Sequence, residues 1–334
     1  MEICYLIAFP DSDEGALPTP EQFKGLKDAP YFQPVDIDLV KLGDETVVIE
    51  GYAVSVLRQR YDNRVQMLEC RFDLIDPFAS SVFQIRDKIQ NALKSRYIPE
   101  LFRQNEMYED YSILLVQDAK PTPDKWIDKN SVAIANFIRS HREVFDKEET
   151  NEILTSRTRY SAKELTLIDW EGAVIIAPNA DYDSDIALLK IGNYQLLRYR
   201  MLDQSIEEML DKIKEGFFQG KRRPRATRGM LQQVTQHRLE IMLDFERAEL
   251  NLLLIGDWYT AKVYEAIQSE FYLKDWKENI KSKIDNLEDI VQTIKDNFMI
   301  SYENLMDQIQ LWGWIILLLG YFYLYIIEFP VGGK

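Results

Sequence analysis

The densest chemistry in this chain is the stretch GKRRPRATRG, where Lys221, Arg222, Arg223, Arg225 and Arg228 place five cations in eight residues. Guanidinium groups present a planar fork of donors that matches phosphate oxygens, so such a run suits a polyanion. Gly220, Pro224 and Gly229 interrupt regular structure, which makes the stretch a loop between helices. It is either a solvated linker or a polyanion-binding patch. The neighbouring residues do not make it a nucleotide site. In GFFQGKRR, three residues separate Gly216 from Gly220 where a phosphate-binding loop has four, and no Ser or Thr follows Lys221.

The carboxylates, histidines and cysteines point to no catalytic or metal centre. Asp181, Asp183 and Asp185 are spaced like the start of a calcium loop, but Ile186 stands where the sharp turn needs Gly and Gly192 where a bidentate Glu belongs. Their expected role is to complement the free N–H groups at a helix start. The two histidines are far apart and no CxxC occurs, so a His/Cys metal site is not expected. His141 falls in the polar RSHRE, and His237 lies on a helical stripe four residues before Ile241. Cys4 and Cys70 cannot build a disulfide framework. Cys70 shares one strand face with Leu68, Phe72 and Leu74, the position of a small buried hydrophobe and not of a nucleophile. No G-x-S-x-G elbow is present. The expectation is a protein without cofactor or metal and not an enzyme, a carboxylate-only site among its 55 acidic residues being the one alternative. With 40 basic residues the net charge is -15, which argues against a general nucleic-acid binder.

The elements that must position these residues fall into three parts. MEICYLIAFPD is no signal peptide, since Glu2 replaces the basic n-region and Pro10 breaks the apolar run; it reads as the buried edge of a sheet. ETVVIEGYAVSVL and NRVQMLECRFDL alternate around RQRYDN and predict a β-hairpin. FASSVFQIRDKIQNALKS predicts an amphipathic helix and DYSILLVQD a strand, with two helices near Ser131–Arg142 and Lys147–Thr155. ELTLIDWEGAVIIAP predicts a second hairpin that turns at Asp169 to Gly172. Hairpins and helices without strict βαβ alternation indicate an α+β domain over residues 1–178. After Pro178 the periodicity is helical, and residues 181–310 are expected to form a bundle and stalk.

Within the stalk no Gly or Pro occurs between Asp257 and Trp312. Ile280, Ile284, Leu287, Val291, Ile294 and Phe298 recur at steps of three, four and seven, the heptad seam of a packed helix. A matching stripe on a helix from about Met230 to Leu254, and another from Tyr259 to Tyr272, allow the seam to pack within one chain, but a homo-oligomer is the expectation, because one narrow transmembrane helix under a long seam often self-associates. The seam runs on into LWGWIILLLGYFYLYII, seventeen residues without a charge from Leu311 to Ile327. That is about 25 Å of helix, and Trp312, Trp314, Tyr321, Tyr323 and Tyr325 can extend it at the headgroup level. Residues 311–328 are therefore expected to be one transmembrane helix in a lipid bilayer, with a buried core helix as the competitor. A single-pass, C-terminal anchor in the cell membrane with the bulk of the chain cytoplasmic follows as the expectation, together with a protein or RNA partner on that side.

The succession LIDWEGAVIIAP, YQLLRYRMLDQSIEEMLDKI, RLEIMLDFERAELNLLLIGDWY, stalk and membrane helix resembles the "required for meiotic nuclear division" family, named for a domain of unknown function. The resemblance covers residues 165–328. It implies a membrane protein, linked to organellar translation in the mitochondrial members, with no catalytic residues to carry over. A cytoplasmic domain on a long helix entering the membrane is also similar to the CorA-type magnesium channels, but those have two membrane helices joined by Gly-Met-Asn, a triplet missing here. The function expected is a membrane-tethered scaffold or adaptor, with an ion-channel subunit as the alternative.

Overall fold

A computed structural model describes residues 1–11, 39–141, 145–218, 228–250 and 258–328. Among these, eight strands form one sheet: β1 (Glu2–Pro10), β2 (Leu39–Ile49), β3 (Tyr52–Tyr61), β4 (Val65–Asp73), β5 (Glu109–Val116), β6 (Arg157–Thr158), β7 (Leu165–Ile168) and β8 (Gly172–Ile176). Their order is β2-β3-β4-β1-β5-β8-β7-β6. The β5–β8 pair is parallel and the other pairs are antiparallel. The helices are α1 (Ser80–Tyr97), α2 (Glu100–Gln104), α3 (Pro123–Lys129), α4 (Ser131–Ile138), α5 (Lys147–Ile153), α6 (Asp183–Phe218), α7 (Arg228–Leu250), α8 (Trp258–Glu270) and α9 (Leu273–Glu328). This is the expected α+β sheet region followed by helices, and it is a mixed sheet.

Two expectations about the strands are corrected. β1 is not an edge: it lies between β4 and β5, with Ile3, Tyr5, Ile7 and Phe9 in the main core and Cys4, Leu6 and Ala8 buried on the opposite face. A strand covered on both faces needs a continuous apolar run, which is what ICYLIAF supplies. ETVVIEGYAVSVL is not one strand but contains the β2–β3 turn. Glu50 and Gly51 both take positive φ, 52° and 84°, the conformation of a tight two-residue hairpin connection. The expected turn between β3 and β4 is present at Asp62 and Asn63, again at positive φ, with the Arg64 N–H donating to the Tyr61 carbonyl at 2.9 Å. The second hairpin also stands, turning from Asp169 to Gly172. Cys4 and Cys70 are free and buried, and burial pushes both thiols above their ordinary range.

The chain divides into two compact units, residues 1–203 with 244–280, and residues 204–243 with 281–334. The first therefore extends past residue 178 to include the first half of α6, the end of α7, and α8. On one side of the sheet, Leu68, Cys70, Phe72 and Leu114 share a core with Ile89 and Leu93 of α1 and Ile134 and Phe137 of α4. On the other side α6 is tied down by polar contacts. Lys190 pairs with Glu69 of β4 and donates to Gln59 of β3 at 2.9 Å, and the Tyr194 hydroxyl donates to Asp62 at 2.5 Å. α6 and α8 come together at Gly192, where an added Cβ would lie 2.4 Å from Ile267 Cγ2 and 3.2 Å from the Phe271 ring.

In the second unit Ile206, Met209 and Ile213 of α6, Val234 and Ile241 of α7, and Ile284 and Leu287 of α9 are buried. Lys283 pairs with Glu207 at 3.1 Å and Arg238 with Glu288 at 2.5 Å, so each of the other two helices also meets α9 through a charge pair. α9 is one helix of 56 residues, and the stalk runs into the apolar segment without a break, as the seam implied.

Candidate functional site

Leu305–Tyr325 of α9 is long and apolar enough to cross a membrane. Its 21 residues have a mean hydropathy of 1.3, and none of the span is buried. At helical rise it measures about 30 Å, the thickness of a hydrocarbon core. Ile316, Leu317 and Leu318 are each about two-thirds exposed. A continuous apolar surface of this size is unusual on a soluble monomer, and it does not fit the competing reading of a core helix within one chain. The span starts six residues earlier than the uncharged run, because Leu305, Met306 and Ile309 contribute apolar surface around the single charge of Asp307.

Of the seam residues, Ile280, Ile284 and Leu287 are buried within the chain and Val291 is half-buried. The side chains of Ile294 and Phe298 lie outside the described residues, as does that of His237. Lys221, Arg222, Arg223 and Arg225 of the basic loop also lie outside them; Arg228 opens α7, its side chain undescribed. The aspartates after Pro178 separate in role. Asp183 is in the first turn of α6 and accepts from Arg71 at 3.0 Å. Asp185 lies in the same first turn. It is buried and accepts from the Thr166 hydroxyl at 2.8 Å and the Tyr259 hydroxyl at 3.1 Å, fastening α6 to β7 and α8. No group of three potential metal ligands is found among the described residues.

A polar cavity that sequence reasoning missed lies in the first unit. β8 begins at Gly172, opposite Ser112, whereas β5 starts three residues earlier at Glu109. The sheet therefore has a notch beside Glu109, Asp110 and Tyr111. α1 walls it on one face through Gln90 and Lys94, α6 on the other through Asn193, and the turn residues Trp170 and Glu171 sit at its rim. The cavity volume is about 500 Å³.

The notch is held open by a framework of hydrogen bonds. The Tyr5 hydroxyl donates to Asp110 at 2.6 Å, and Lys94 pairs with Asp110 at 3.2 Å. Arg200 pairs with Glu109 at 2.5 Å and also donates to the Glu106 and Tyr108 carbonyls at 2.6 and 3.1 Å. Arg139 holds Asp169 through Nε at 3.0 Å and Nη2 at 3.1 Å, while the Tyr111 hydroxyl donates to the Asp169 carbonyl at 2.8 Å. Burial raises the carboxyls of Glu109, Asp169 and Glu171, against the opposing pull of Arg200 on the first and Arg139 on the other two. Acids with raised pKa values gathered around a cavity are a recurrent mark of function. A faint signal was present in sequence: Gln90 and Asn193 interrupt the apolar faces set by Ile89 and Leu93 and by Leu189 and Leu197. Nothing local says that these two amides line one cavity.

The family model described as the N-terminal domain of the uncharacterized protein MJ0711 matches residues 18–183. The match stops where α6 begins and leaves out β1, the strand between β4 and β5. The uncharacterized protein MJ0711 of Methanocaldococcus jannaschii is 22% identical over 232 residues, which cover 68% of this chain and 69% of that protein. No solved structure matches. These likenesses support a domain of unknown function. The family model falls on the sheet-bearing part of the chain, whereas the resemblance to the meiotic-division family was drawn on residues 165–328, and the likenesses carry neither that family's properties nor those of CorA channels.

Proposed function

We propose that the chain is a membrane-tethered adaptor, anchored by α9 and presenting its sheet-bearing unit to partners on the cytoplasmic side. The observation that carries this reading is the fully exposed apolar span Leu305–Tyr325 at the end of an unbroken helix. Hydrocarbon satisfies such a surface; water does not. A helix passing without interruption from buried seam to apolar span joins the seam of the second unit directly to the anchor. Self-association through that span, and RNA contact by Lys221, Arg222, Arg223, Arg225 and Arg228, complete the proposal; the first draws on the lone narrow helix, the second on the cation density of the loop. Conduction as in a CorA channel would require several copies to line a path around one span each, so it depends on the same oligomer.

Truncation after Gln310 tests the anchor. The shortened chain should move to the soluble fraction after cell lysis, while the full chain stays with membranes through a high-salt wash. A truncated chain that still pellets with washed membranes would refute the tether. Replacing Arg222, Arg223, Arg225 and Arg228 with Glu should abolish salt-sensitive RNA retention without releasing the protein from the membrane. Equal RNA recovery from parent and variant across a salt series would reduce the loop to a linker.

A further inference from the structure

Two amide oxygens at the notch beside β5 accept from no donor among the described residues. Gln90 of α1 gives its Nε2 to the Ser112 hydroxyl oxygen at 2.8 Å, and Asn193 of α6 gives its Nδ2 to the Leu189 carbonyl at 2.8 Å. Each amide nitrogen gives one of its two N–H groups to these internal partners, and among the described residues no donor reaches either amide oxygen. Both side chains line the cavity, and neither has another outlet, because Gln90 is 7% and Asn193 3% exposed. They approach from opposite faces of the sheet. Both oxygens are open to a donor that enters the cavity.

The charge of the lining points the same way. Asp87, Glu109, Asp110 and Glu171 stand against Lys94 alone. Glu109 is matched by Arg200, and Asp110 by Lys94 and Tyr5. Glu171, at the mouth, forms no ion pair with the described residues. Beside it, Trp170 packs against Tyr272 with ring centroids 5.6 Å apart and remains 39% exposed, so part of its ring is available to a ligand. Phe271 forms the inner wall. A metal ion is a poor match, since no three metal-binding side chains converge among the described residues. A cavity of about 500 Å³ instead lies in the size range of small-molecule sites.

We infer that this notch binds a primary ammonium or guanidinium group. The Glu171 carboxylate supplies the counter-charge, the Gln90 and Asn193 amide oxygens accept from its N–H groups, and the Trp170 ring offers a cation–π face. The inference goes beyond the tether and does not depend on it, because every lining residue belongs to the first compact unit.

The test uses the full-length chain in detergent, titrated by calorimetry with three probes: agmatine, the capped tripeptide acetyl-Gly-Arg-Gly-amide, and the neutral N-pentylurea. At least one cationic probe should bind tenfold or more tightly than the urea. Glu171→Gln, on an exposed turn where folding is not at stake, should weaken that binding about tenfold, equivalent to about 1.4 kcal/mol. Asn193→Ser should do likewise, with its melting curve read alongside to separate lost binding from lost folding. Preference for agmatine would identify a free small cation as the source, and preference for the tripeptide a basic side chain of a protein. Equal binding of neutral and cationic probes, no binding of either cation, or an affinity untouched by Glu171→Gln would overturn the inference.

Discussion

Replacing Lys190 with Met should destabilise the sheet-bearing unit through a charge left behind on a neighbouring strand. Lys190 and Glu69 form a pair in which both side chains are only 8% exposed. Breaking a buried pair from one side typically costs about 3–5 kcal/mol, because the other charge stays buried. Here Glu69 retains Arg71, whose Nε lies 2.5 Å from its carboxylate, so the lower end, about 3 kcal/mol, is expected. In urea, with a slope near 3 kcal/mol/M, the midpoint of the first unit should fall by about 1 M. Burial by itself would raise the Glu69 carboxyl, but Lys190 and Arg71 together pull it below its ordinary value of 4.5. Its contribution is therefore complete above that pH and fades as the pH falls through the folded-state value. The cost of Lys190→Met should shrink accordingly at pH 3.5. The double variant Lys190→Met/Glu69→Leu should show a coupling of at least about 1 kcal/mol against the sum of the single changes. A cost identical at pH 7 and pH 3.5, with coupling below about 0.5 kcal/mol, would show that packing and not charge holds α6 to β4.

Two further outcomes follow from the packing. Gly192→Ala gains about 1 kcal/mol of helix propensity but places a Cβ 2.4 Å from Ile267; overpacking costs about 1–3 kcal/mol, so denaturation should show a net loss, and a more stable variant would mean that α8 yields freely. Ile284→Asp with Leu287→Asp puts two carboxylates into the buried seam of α9, which should lower helicity and melting temperature together; an unchanged melting curve would contradict the burial, and loss of oligomer at full helicity would place the seam between chains instead.

Features with a local cause were legible without coordinates. An uncharged apolar run announces a membrane-competent helix because length and composition suffice to specify it, and α9 carries that span. Period-two alternation with Asp62 and Asn63 at a turn announces a hairpin because the signal lies within a dozen residues. Even there the limits show. Glu50 and Gly51 form a turn that its composition conceals, since Glu is an uncommon residue at positive φ.

Whatever depends on partners far along the chain needed the tertiary structure. β1 looks the same in sequence whether it lies at an edge or inside a sheet; its pairing with both β4 and β5, more than fifty residues away, decides the matter. Lys190 reads as a solvated helix residue until β4 brings Glu69 beneath it. Gln90 and Asn193 belong to helices about a hundred residues apart, and only the late start of β8 opens the gap that both line. Hydrophobic period and turn chemistry are properties of neighbours in sequence and determine the elements. Burial, charge partners and cavities are properties of neighbours in space, and folding alone brings those together.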